Sequence, residues 1–409
     1  MPAMTRAAGL LAGPLTILVS MVAAQTGPEA IAPLPRPTGV HAIGTAILYL
    51  NHSARIDPQL PRGRPIIVQL WYPRTDKGGA GAARYLIEPG LSEALVKTQY
   101  YGIDPVSLAA WAAIDTHARL DAPVSPGKHP LVTLSVGLGV IRANYTTIAE
   151  ELASQGYIVA AVENPLAGFM ALPDGRVVSD TTSRLEDAAV MRTAVTDWSQ
   201  DISFALDHLA TSGVGREVAA AIDWARVGAA GHSSGGLVAL ETCQRDRRFR
   251  ACVDMDGGFA TPANEPMAEF VTGHLKRPTL MLREQPIYSD ADFARRGLTR
   301  EQWEKRGAGG SKAIDSVAAR AQQPFHIVSV AGTGHFSFSD APFVMPSAIS
   351  RFGGKIIDPH RGWIVITTTL RGFFDEYLNR ASQHSFVAVV RTMPELTARS
   401  NTPAGAAKR

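Results

Sequence analysis

The stretch Gly231–Gly236, with the sequence Gly-His-Ser-Ser-Gly-Gly, constrains the fold of this 409-residue chain more than any other feature. It lies between a short apolar run, residues 227–230, and a stretch of helical character, residues 237–246. This is a Gly-x-Ser-x-Gly pattern in a strand–turn–helix setting. Gly231 and Gly235 leave room where a Cβ would collide, so Ser233 is forced to the tip of a tight turn. The pattern predicts a serine nucleophile, although a glycine-rich turn without chemistry would also produce it.

An acid and a histidine follow Ser233 in the chain order of α/β-hydrolases. A buried strand pattern ends in Asp254 and Asp256, and the apolar strand pattern of residues 325–331 is followed by His335. Because the C-terminal ends of parallel strands share one edge of a sheet, Ser233, Asp256 and His335 are expected to meet there. We therefore predict a catalytic triad in which His335 accepts the proton of Ser233 and Asp256 orients His335. A loop histidine without a role is the alternative for His335.

Asp254 is an alternative acid, because two residues that are two positions apart on a strand point to the same face. A carboxylate nearer the strand end has a smaller desolvation cost, which favours Asp256. Asp254 would then serve only as a hydrogen-bond acceptor that supports the site. His232 is expected to pack behind the turn rather than to touch substrate.

The backbone N–H groups of Leu138 and Ser234 are the predicted donors of an oxyanion hole. Leu138 lies in Gly137-Leu138-Gly139, directly after an apolar strand pattern. Ser234 begins the helix after the serine, where unpaired N–H groups point towards the same place. An ordinary glycine turn is the alternative for residues 137–139.

These motifs resemble the secreted platelet-activating-factor acetylhydrolases and the bacterial esterases described as predicted dienelactone hydrolases. The resemblance runs from about residue 37 to about residue 378. The order of its pieces carries it, and these are residues 37–39, 66–73, 122–124, 129–132, 137–139, 152–163, 231–236, 248–250 and 335–336. It implies an α/β-hydrolase fold, a mostly parallel sheet with helices on both faces. It also assigns the nucleophile to Ser233, the acid to Asp256, the base to His335 and an oxyanion donor to Leu138. One departure is Val136, where the family usually has a histidine; the backbone donor does not depend on that side chain.

The resemblance implies a serine esterase that forms an acyl-enzyme on short-acyl or phospholipid-like esters. A lipase, a polyester hydrolase and a catalytically silent binding protein on the same fold are the alternatives. A dienelactone hydrolase proper would be expected to carry a cysteine nucleophile, and Ser233 argues against it. The expected partner is a small-molecule ester, and transient contact with lipid surfaces is left open.

Composition agrees with an enzyme that needs no cofactor. Hydrophobic residues make up 45% of the chain, charged residues 19%, and the formal net charge is +3. No basic stripe indicates a nucleic-acid partner, and no His/Cys/Asp cluster has metal-ligand spacing, so neither nucleic acid nor metal is expected. The serine mechanism proceeds without a cofactor, so none is expected. Alternating strand and helix patterns favour one α/β-hydrolase domain over residues 25–395.

The N-terminus, residues 1–24, is typical of a signal peptide. Arg6 gives a positive start, residues 8–23 are apolar, and Val22-Ala23-Ala24 fits a small-residue cleavage site. The apolar run is short for a membrane span of about 20 residues, although an uncleaved anchor is the alternative. A secreted or periplasmic location is therefore expected.

The sequence also predicts the structure of three further segments and the state of the two cysteines. Residues 85–128 are a candidate insertion, helical over 91–114, whose Tyr100, Tyr101 and Trp111 either shape the cleft or pack in the core. Residues 363–379 are expected to form the closing helix and residues 396–409 a flexible tail. Cys243 and Cys252 could pair in an exported protein, but the pattern favours two free, buried thiols.

Overall fold

The computed structural model describes residues 31–401 apart from 57–59, 76–80, 89, 98–99, 166, 180–186, 212–214, 262, 296, 347–348, 350–355 and 380–384. The predicted signal peptide and residues 402–409 lie outside the described residues. Within them, eleven strands form one sheet in the order β13-β12-β11-β10-β9-β5-β6-β2-β1-β4-β3. The strands are β1 (Ile43–His52), β2 (Arg64–Pro73), β3 (Ala82–Arg84), β4 (Asp115–Leu120), β5 (His129–Ser135), β6 (Ile158–Glu163), β9 (Ile222–His232), β10 (Phe249–Met255), β11 (Thr279–Gln285), β12 (Phe325–Ala331) and β13 (Leu396–Asn401), and β7 (Phe169–Ala171) and β8 (Val177–Ser179) form a separate hairpin.

The centre of the sheet is parallel, from β6 through β5, β9, β10 and β11 to β12. Strands β5 and β6 are buried along their whole length. Such strands are continuous apolar runs because helices cover both of their faces. The antiparallel pairs β1–β2, β2–β6 and β12–β13 extend the sheet on both sides, and β1 pairs parallel with β4. The predicted mostly parallel α/β-hydrolase sheet is confirmed.

Helices pack on both faces of this sheet. Alternate residues of β6 show the division: Val159 and Ala161 belong to the core cluster of one face, and Ala160 and Val162 to the cluster of the other. The first face carries the helices at 146–154 and 359–377, and the second carries those at 188–211, 234–245 and 300–320. The described α-helices are Leu91–Lys97, Pro105–Ala113, Thr146–Ser154, Ala188–Thr211, Arg216–Ala221, Ser234–Arg245, Asp290–Arg295, Arg300–Arg320, Ala341–Val344, Pro359–Tyr377 and Ser385–Thr392. Among the described residues, no helix combines the length and apolar character that crossing a membrane requires.

Residues 85–128 are helical only in part. Two short helices cover much of 91–114, but Asp115–Leu120 form strand β4, which pairs with β1 and β3 in the main sheet. Tyr100 and Trp111 are buried, and the Trp111 indole N–H donates to the Val344 carbonyl at 2.9 Å. The aromatic side chains of Tyr100 and Trp111 therefore pack in the core. A role of this region in shaping the cleft stays a prediction.

Cys243 and Cys252 form a disulfide, so the expectation of two free thiols is wrong. Cys243 lies on the helix Ser234–Arg245 and Cys252 on β10, and the short connection folds the helix back beside the strand with a Cα–Cα distance of 6.4 Å. Loop-closure entropy assigns a bridge over nine residues about 2–3 kcal/mol of stability. The bridge joins the element that follows Ser233 to the strand that leads to Asp256.

The flexible tail expected from residue 396 is wrong for residues 396–401. After the helix Pro359–Tyr377, the chain continues through the helix Ser385–Thr392 into β13, which pairs antiparallel with β12. His326 of β12 fixes this edge, since its Nδ1 lies 2.7 Å from the Ser400 hydroxyl and its Nε2 3.0 Å from the Tyr377 hydroxyl. The exposed, polar side chains of β13 are typical of a flexible tail, whereas its backbone pairs with β12 and completes the edge of the sheet.

Candidate active site

Ser233 lies at the tip of a sharp turn between β9 and the helix Ser234–Arg245. Its backbone is strained, with φ 58° and ψ −126°. A Cβ on Gly231 would collide with the Gly235 carbonyl, and a Cβ on Gly235 would collide with the carbonyls of Ser135 and Val136. The Ser233 N–H donates to the Met255 carbonyl at 2.9 Å, which ties the turn to the end of β10. The two glycines thus permit the close packing that directs the serine away from the sheet.

A continuous hydrogen-bonded chain joins the three predicted triad residues. Ser233 Oγ lies 3.0 Å from His335 Nε2, and His335 Nδ1 lies 2.7 Å from Asp256 Oδ2. Ser233 follows β9, Asp256 follows β10 and His335 follows β12, so three strand ends at one sheet edge supply them. The distances are those over which a serine proton can pass to an imidazole that a carboxylate orients.

Asp256 reaches His335 because the backbone turns at that residue. Its φ is 61°, so the strand geometry that relates residues 254 and 256 ends at Met255. The Asp256 N–H donates to the Leu282 carbonyl at 2.8 Å, and Asp256 Oδ1 accepts the Glu284 N–H at 3.0 Å. One carboxylate oxygen is thereby held by β11, and the other faces His335.

Neighbouring charges shift the pKa values of Asp256 and His335, two members of the predicted triad. Burial alone would raise the pKa of Asp256, but the neighbouring Arg283 guanidinium, 3.5 Å away, and the contact with His335 hold it below its ordinary value. Burial lowers the pKa of His335, but the hydrogen bond and charge of Asp256, with the charge of Glu284, outweigh it and raise the pKa above 6.5. Burial, followed by the Asp256 charge, raises the pKa of Glu284 to about 7.

Arg283 and Glu284 were not singled out from the sequence. They stand at the end of β11, where an apolar run gives way to charged residues. Charged residues at the C-terminal end of a central parallel strand are a signal that could have found them.

The predicted oxyanion donors lie in adjacent segments. Ser135, at the end of β5, pairs with Gly231 of β9, which brings the loop of Leu138 beside the turn of Ser233. Within the described part of the chain, the N–H groups of Leu138 and Ser234 donate to no protein acceptor. Ser234 is also the first residue of its helix, where the backbone dipoles favour negative charge. Two free donors beside a serine can stabilise the oxyanion of a tetrahedral intermediate.

Asp254 lies away from His335, behind the start of the helix Ser234–Arg245. Its side chain is completely buried and would contact a Cβ placed on Gly236. Its Oδ1 accepts the Gly257 N–H at 2.6 Å, while its Oδ2 has no hydrogen-bond partner among the described residues. Burial raises the pKa of Asp254 to about 7. This carboxyl group is therefore largely protonated below neutral pH.

Replacing Asp254 with asparagine is expected to make the protein more stable at neutral and alkaline pH. The pKa of Asp254 is raised from 3.8 to about 7, so the unfolded chain binds fewer protons than the native chain between these pH values. The free energy of unfolding of wild type therefore falls as pH rises through this window. An asparagine side chain does not titrate, so the stability of D254N relative to wild type should rise by about 3 kcal/mol between pH 4.5 and pH 8.

Urea unfolding of wild type and D254N at several pH values between 4.5 and 8 measures this difference. Parallel stability curves for the two proteins would contradict it, because they would mean that Asp254 ionises as readily in the native as in the unfolded chain.

The remaining polar groups do not form a metal site within the described residues. No group of three or more His, Cys, Asp or Glu side chains there could hold a metal ion. His232 is completely buried beneath the turn, in contact with Tyr145 and His335. Neither its burial nor its contacts place it against substrate.

Sequence comparison relates the chain to lipid esterases. The family described as platelet-activating factor acetylhydrolase, isoform II, matches residues 31–165 and 215–386. The platelet-activating factor acetylhydrolase of Cavia porcellus is 23% identical over 388 residues, which cover 84% of this chain and 78% of that protein. A probable 1-alkyl-2-acetylglycerophosphocholine esterase of Arthroderma benhamiae is 25% identical over 241 residues, covering 55% of this chain and 59% of that protein.

Structure comparison gives a second relation. A ferulic acid esterase from Streptomyces cinnamoneus superposes with a TM-score of 0.70 and 28% sequence identity. The match covers 90% of this chain and 99% of the esterase. Both kinds of comparison therefore point to enzymes that cleave carboxylic esters.

Proposed function

The chain belongs to the platelet-activating factor acetylhydrolase isoform II family and is an ester hydrolase, and we propose that it cleaves short-acyl or phospholipid-like esters through an acyl-enzyme on Ser233. The observation that carries the proposal is the contact chain from Ser233 Oγ through His335 to Asp256, with distances of 3.0 and 2.7 Å. An alcohol is a weak nucleophile at neutral pH, and this chain supplies the base that activates it.

In the proposed reaction, His335 Nε2 takes the Ser233 proton while Oγ attacks the ester carbonyl. The N–H groups of Leu138 and Ser234 donate to the oxyanion that forms, and the ionised Asp256 stabilises the imidazolium of His335. His335 then returns the proton to the leaving alkoxide, which departs as the alcohol. A water molecule, deprotonated by His335, attacks the acyl-enzyme; His335 then passes this proton to Ser233 Oγ as the acyl–oxygen bond breaks, which releases the carboxylic acid and regenerates the serine.

The names of the relatives support the substrate class. The esterase relative is named for 1-alkyl-2-acetylglycerophosphocholine, in which the cleaved acyl group is acetyl. The structural relative acts on esters of ferulic acid, an aromatic acid. We place short acyl groups first, because the matching family model and several sequence relatives have the name platelet-activating factor acetylhydrolase. Transient contact with a lipid surface would follow if the substrate is a phospholipid.

Export is a further part of the proposal. The signal-peptide pattern of residues 1–24 predicts it, and the Cys243–Cys252 disulfide supports it because such bonds persist in oxidising compartments. A periplasmic or secreted location would give the enzyme access to extracellular esters.

A panel of esters with graded acyl length tests the proposed function. We expect p-nitrophenyl acetate and butyrate to be hydrolysed with kcat/KM at least about tenfold above the decanoate and palmitate, since one methylene is worth roughly tenfold or more in a pocket of fixed size. Acetyl-glycerophosphocholine, methyl ferulate and a polyester film complete the panel. A preference for long chains would favour a lipase, activity on the film a polyester hydrolase, and the absence of all turnover would contradict the proposal.

A further inference from the structure

Two buried rings, those of Tyr145 and His232, lie directly behind the candidate active site. Both residues are completely buried. The Gly137 N–H lies 3.0 Å from the Tyr145 hydroxyl oxygen, and that oxygen lies 2.9 Å from His232 Nδ1. On the far side of the ring, His232 Nε2 lies 2.8 Å from the His335 carbonyl oxygen. Three hydrogen bonds thus run from the loop of Leu138 to the backbone of His335.

The chemistry of the groups fixes the direction of this chain. The His335 carbonyl can only accept, so His232 Nε2 carries a proton and donates it. Burial, followed by the charge of His335, lowers the pKa of His232 to about 3, so the ring is neutral and Nδ1 is an acceptor. The Tyr145 O–H therefore donates to Nδ1, and its oxygen accepts the Gly137 N–H. Tyr145 and His232 thus each accept one hydrogen bond and donate the next, and the chain runs in one direction from the Gly137 N–H to the His335 carbonyl.

The packing around the two rings is close. A Cβ on Gly137 would lie 3.2 Å from the Tyr145 hydroxyl oxygen and 3.3 Å from the His232 carbonyl oxygen, closer than most Cβ contacts. The His232 and His335 ring centroids are 4.7 Å apart. The first glycine of Gly137-Leu138-Gly139 thus provides the room in which the phenol meets the backbone.

We propose that Tyr145 and His232 are positioning residues. They hold the Leu138 N–H and His335 in fixed positions relative to each other and to Ser233. The inference rests on the proposed function, because it assigns these residues to that same reaction. The hydrogen bond at the Gly137 N–H anchors the peptide that directly precedes the one carrying the Leu138 N–H, and so restricts where the Leu138 N–H can point. The bond from His232 fixes the backbone of the residue whose ring accepts the Ser233 proton. The chain therefore aligns a donor to the oxyanion with the general base.

Loss of this alignment should raise the free energy of the transition state and so lower kcat. Removal of a whole oxyanion donor costs roughly 10²–10³-fold in kcat, and a donor that is displaced rather than absent should cost about 10- to 100-fold. The ester carbonyl needs the donor only when charge develops on its oxygen, so KM should change little. A side chain that merely stabilised the fold would lower the amount of active enzyme and thus the apparent kcat, but the active fraction would keep its wild-type affinity for a compound that forms a tetrahedral adduct with the serine.

Tyr145→Phe is the test, with Tyr157→Phe as its matched control. Tyr157 is also completely buried and donates from its hydroxyl to Asp375 at 2.6 Å, but it precedes β6, at the end of the sheet opposite to Ser233. We expect Y145F to lower kcat on p-nitrophenyl acetate about 10- to 100-fold with KM within about threefold of wild type. Its affinity for an alkylboronic acid, which forms a tetrahedral adduct with the serine, should fall by the same factor. Y157F should retain both values.

His232→Gln provides a second variant if Y145F does not fold. Its amide can donate in the direction of the His335 carbonyl, but it has no acceptor in the position of Nδ1, so the kcat defect should match that of Y145F. The double variant should be no worse than the poorer single one, because either change breaks the same chain. A folded Y145F or H232Q with kcat within about threefold of wild type would overturn the inference. Absence of wild-type turnover on this ester would instead count against the proposed function.

Discussion

Ser233→Ala is expected to lower kcat for p-nitrophenyl acetate by about 10⁴–10⁶-fold. The alanine leaves no atom that can form the acyl-enzyme, whereas the free N–H groups of Leu138 and Ser234 remain. Residual turnover from the oxyanion donors and from binding explains why the loss is large but finite. The affinity for substrate should change little, since the Ser233 side chain is small and 9% of the residue is exposed.

A fluorophosphonate probe gives an independent measure of the same change, because it phosphonylates activated serines. Wild type should be labelled on the peptide that contains Ser233, and S233A should not be labelled. Ser199→Ala is the matched control, since Ser199 is a buried serine whose hydroxyl donates to the Thr196 carbonyl at 2.7 Å. Labelling of S233A at wild-type rate, or a loss of turnover below about tenfold, would place the nucleophile elsewhere.

The fold and the turn of Ser233 could be predicted because they depend on local features. The apolar runs that became β5, β6 and β12 are long enough and bounded clearly enough to be recognised as buried parallel strands. Gly231 meets a steric requirement of the turn itself, since a Cβ there would collide with the Gly235 carbonyl. Gly235 leaves room for the carbonyls of Ser135 and Val136, so the strand–turn–helix pattern predicts the glycine but not the segment that packs against it.

The choice between Asp254 and Asp256 could not be derived securely in this way. The alternation rule assumed an extended strand through both residues, but the backbone turns to a positive φ at Asp256. Desolvation does not distinguish the two candidate acids either, because the Asp256 side chain is only 3% exposed and Asp254 is buried completely. Their partners separate them: Asp256 has the Glu284 N–H, Arg283 and His335, while Asp254 has the Gly257 N–H.

Pairings between separate secondary-structure elements account for the other failures. The Cys243–Cys252 bond depends on how the helix Ser234–Arg245 packs beside β10, and β13 depends on an open edge of β12. The link of Tyr145 to His232 joins residues that are 87 positions apart. Which elements pack against each other cannot be read from the cysteine spacing, from the polar character of β13 or from Tyr145 alone.

Asp256→Asn is expected to lower kcat about 10⁴-fold while the fold is retained. The Glu284 N–H donates to Asp256 Oδ1, so the asparagine carbonyl should occupy that position and turn its NH₂ group towards His335 Nδ1. An NH₂ group requires an acceptor, which puts the imidazole proton on Nε2, and a protonated Nε2 cannot accept the Ser233 proton. The variant also removes the hydrogen bond and the charge that raise the pKa of His335. The acidic limb of the kcat/KM profile should therefore move to lower pH, since His335 loses its proton more readily.

Asp254→Asn is the matched control for this variant, because it makes the same chemical change two residues away. Asp254 contacts the Gly257 N–H and not His335, so the kcat of D254N should stay within about threefold of wild type. Steady-state kinetics of both variants between pH 5 and pH 9 measure the two effects together. A D254N variant as impaired as D256N, or a D256N variant with kcat near that of wild type, would reverse the assignment of the acid, because the imidazole would then depend on the carboxyl group that the structure places behind the helix.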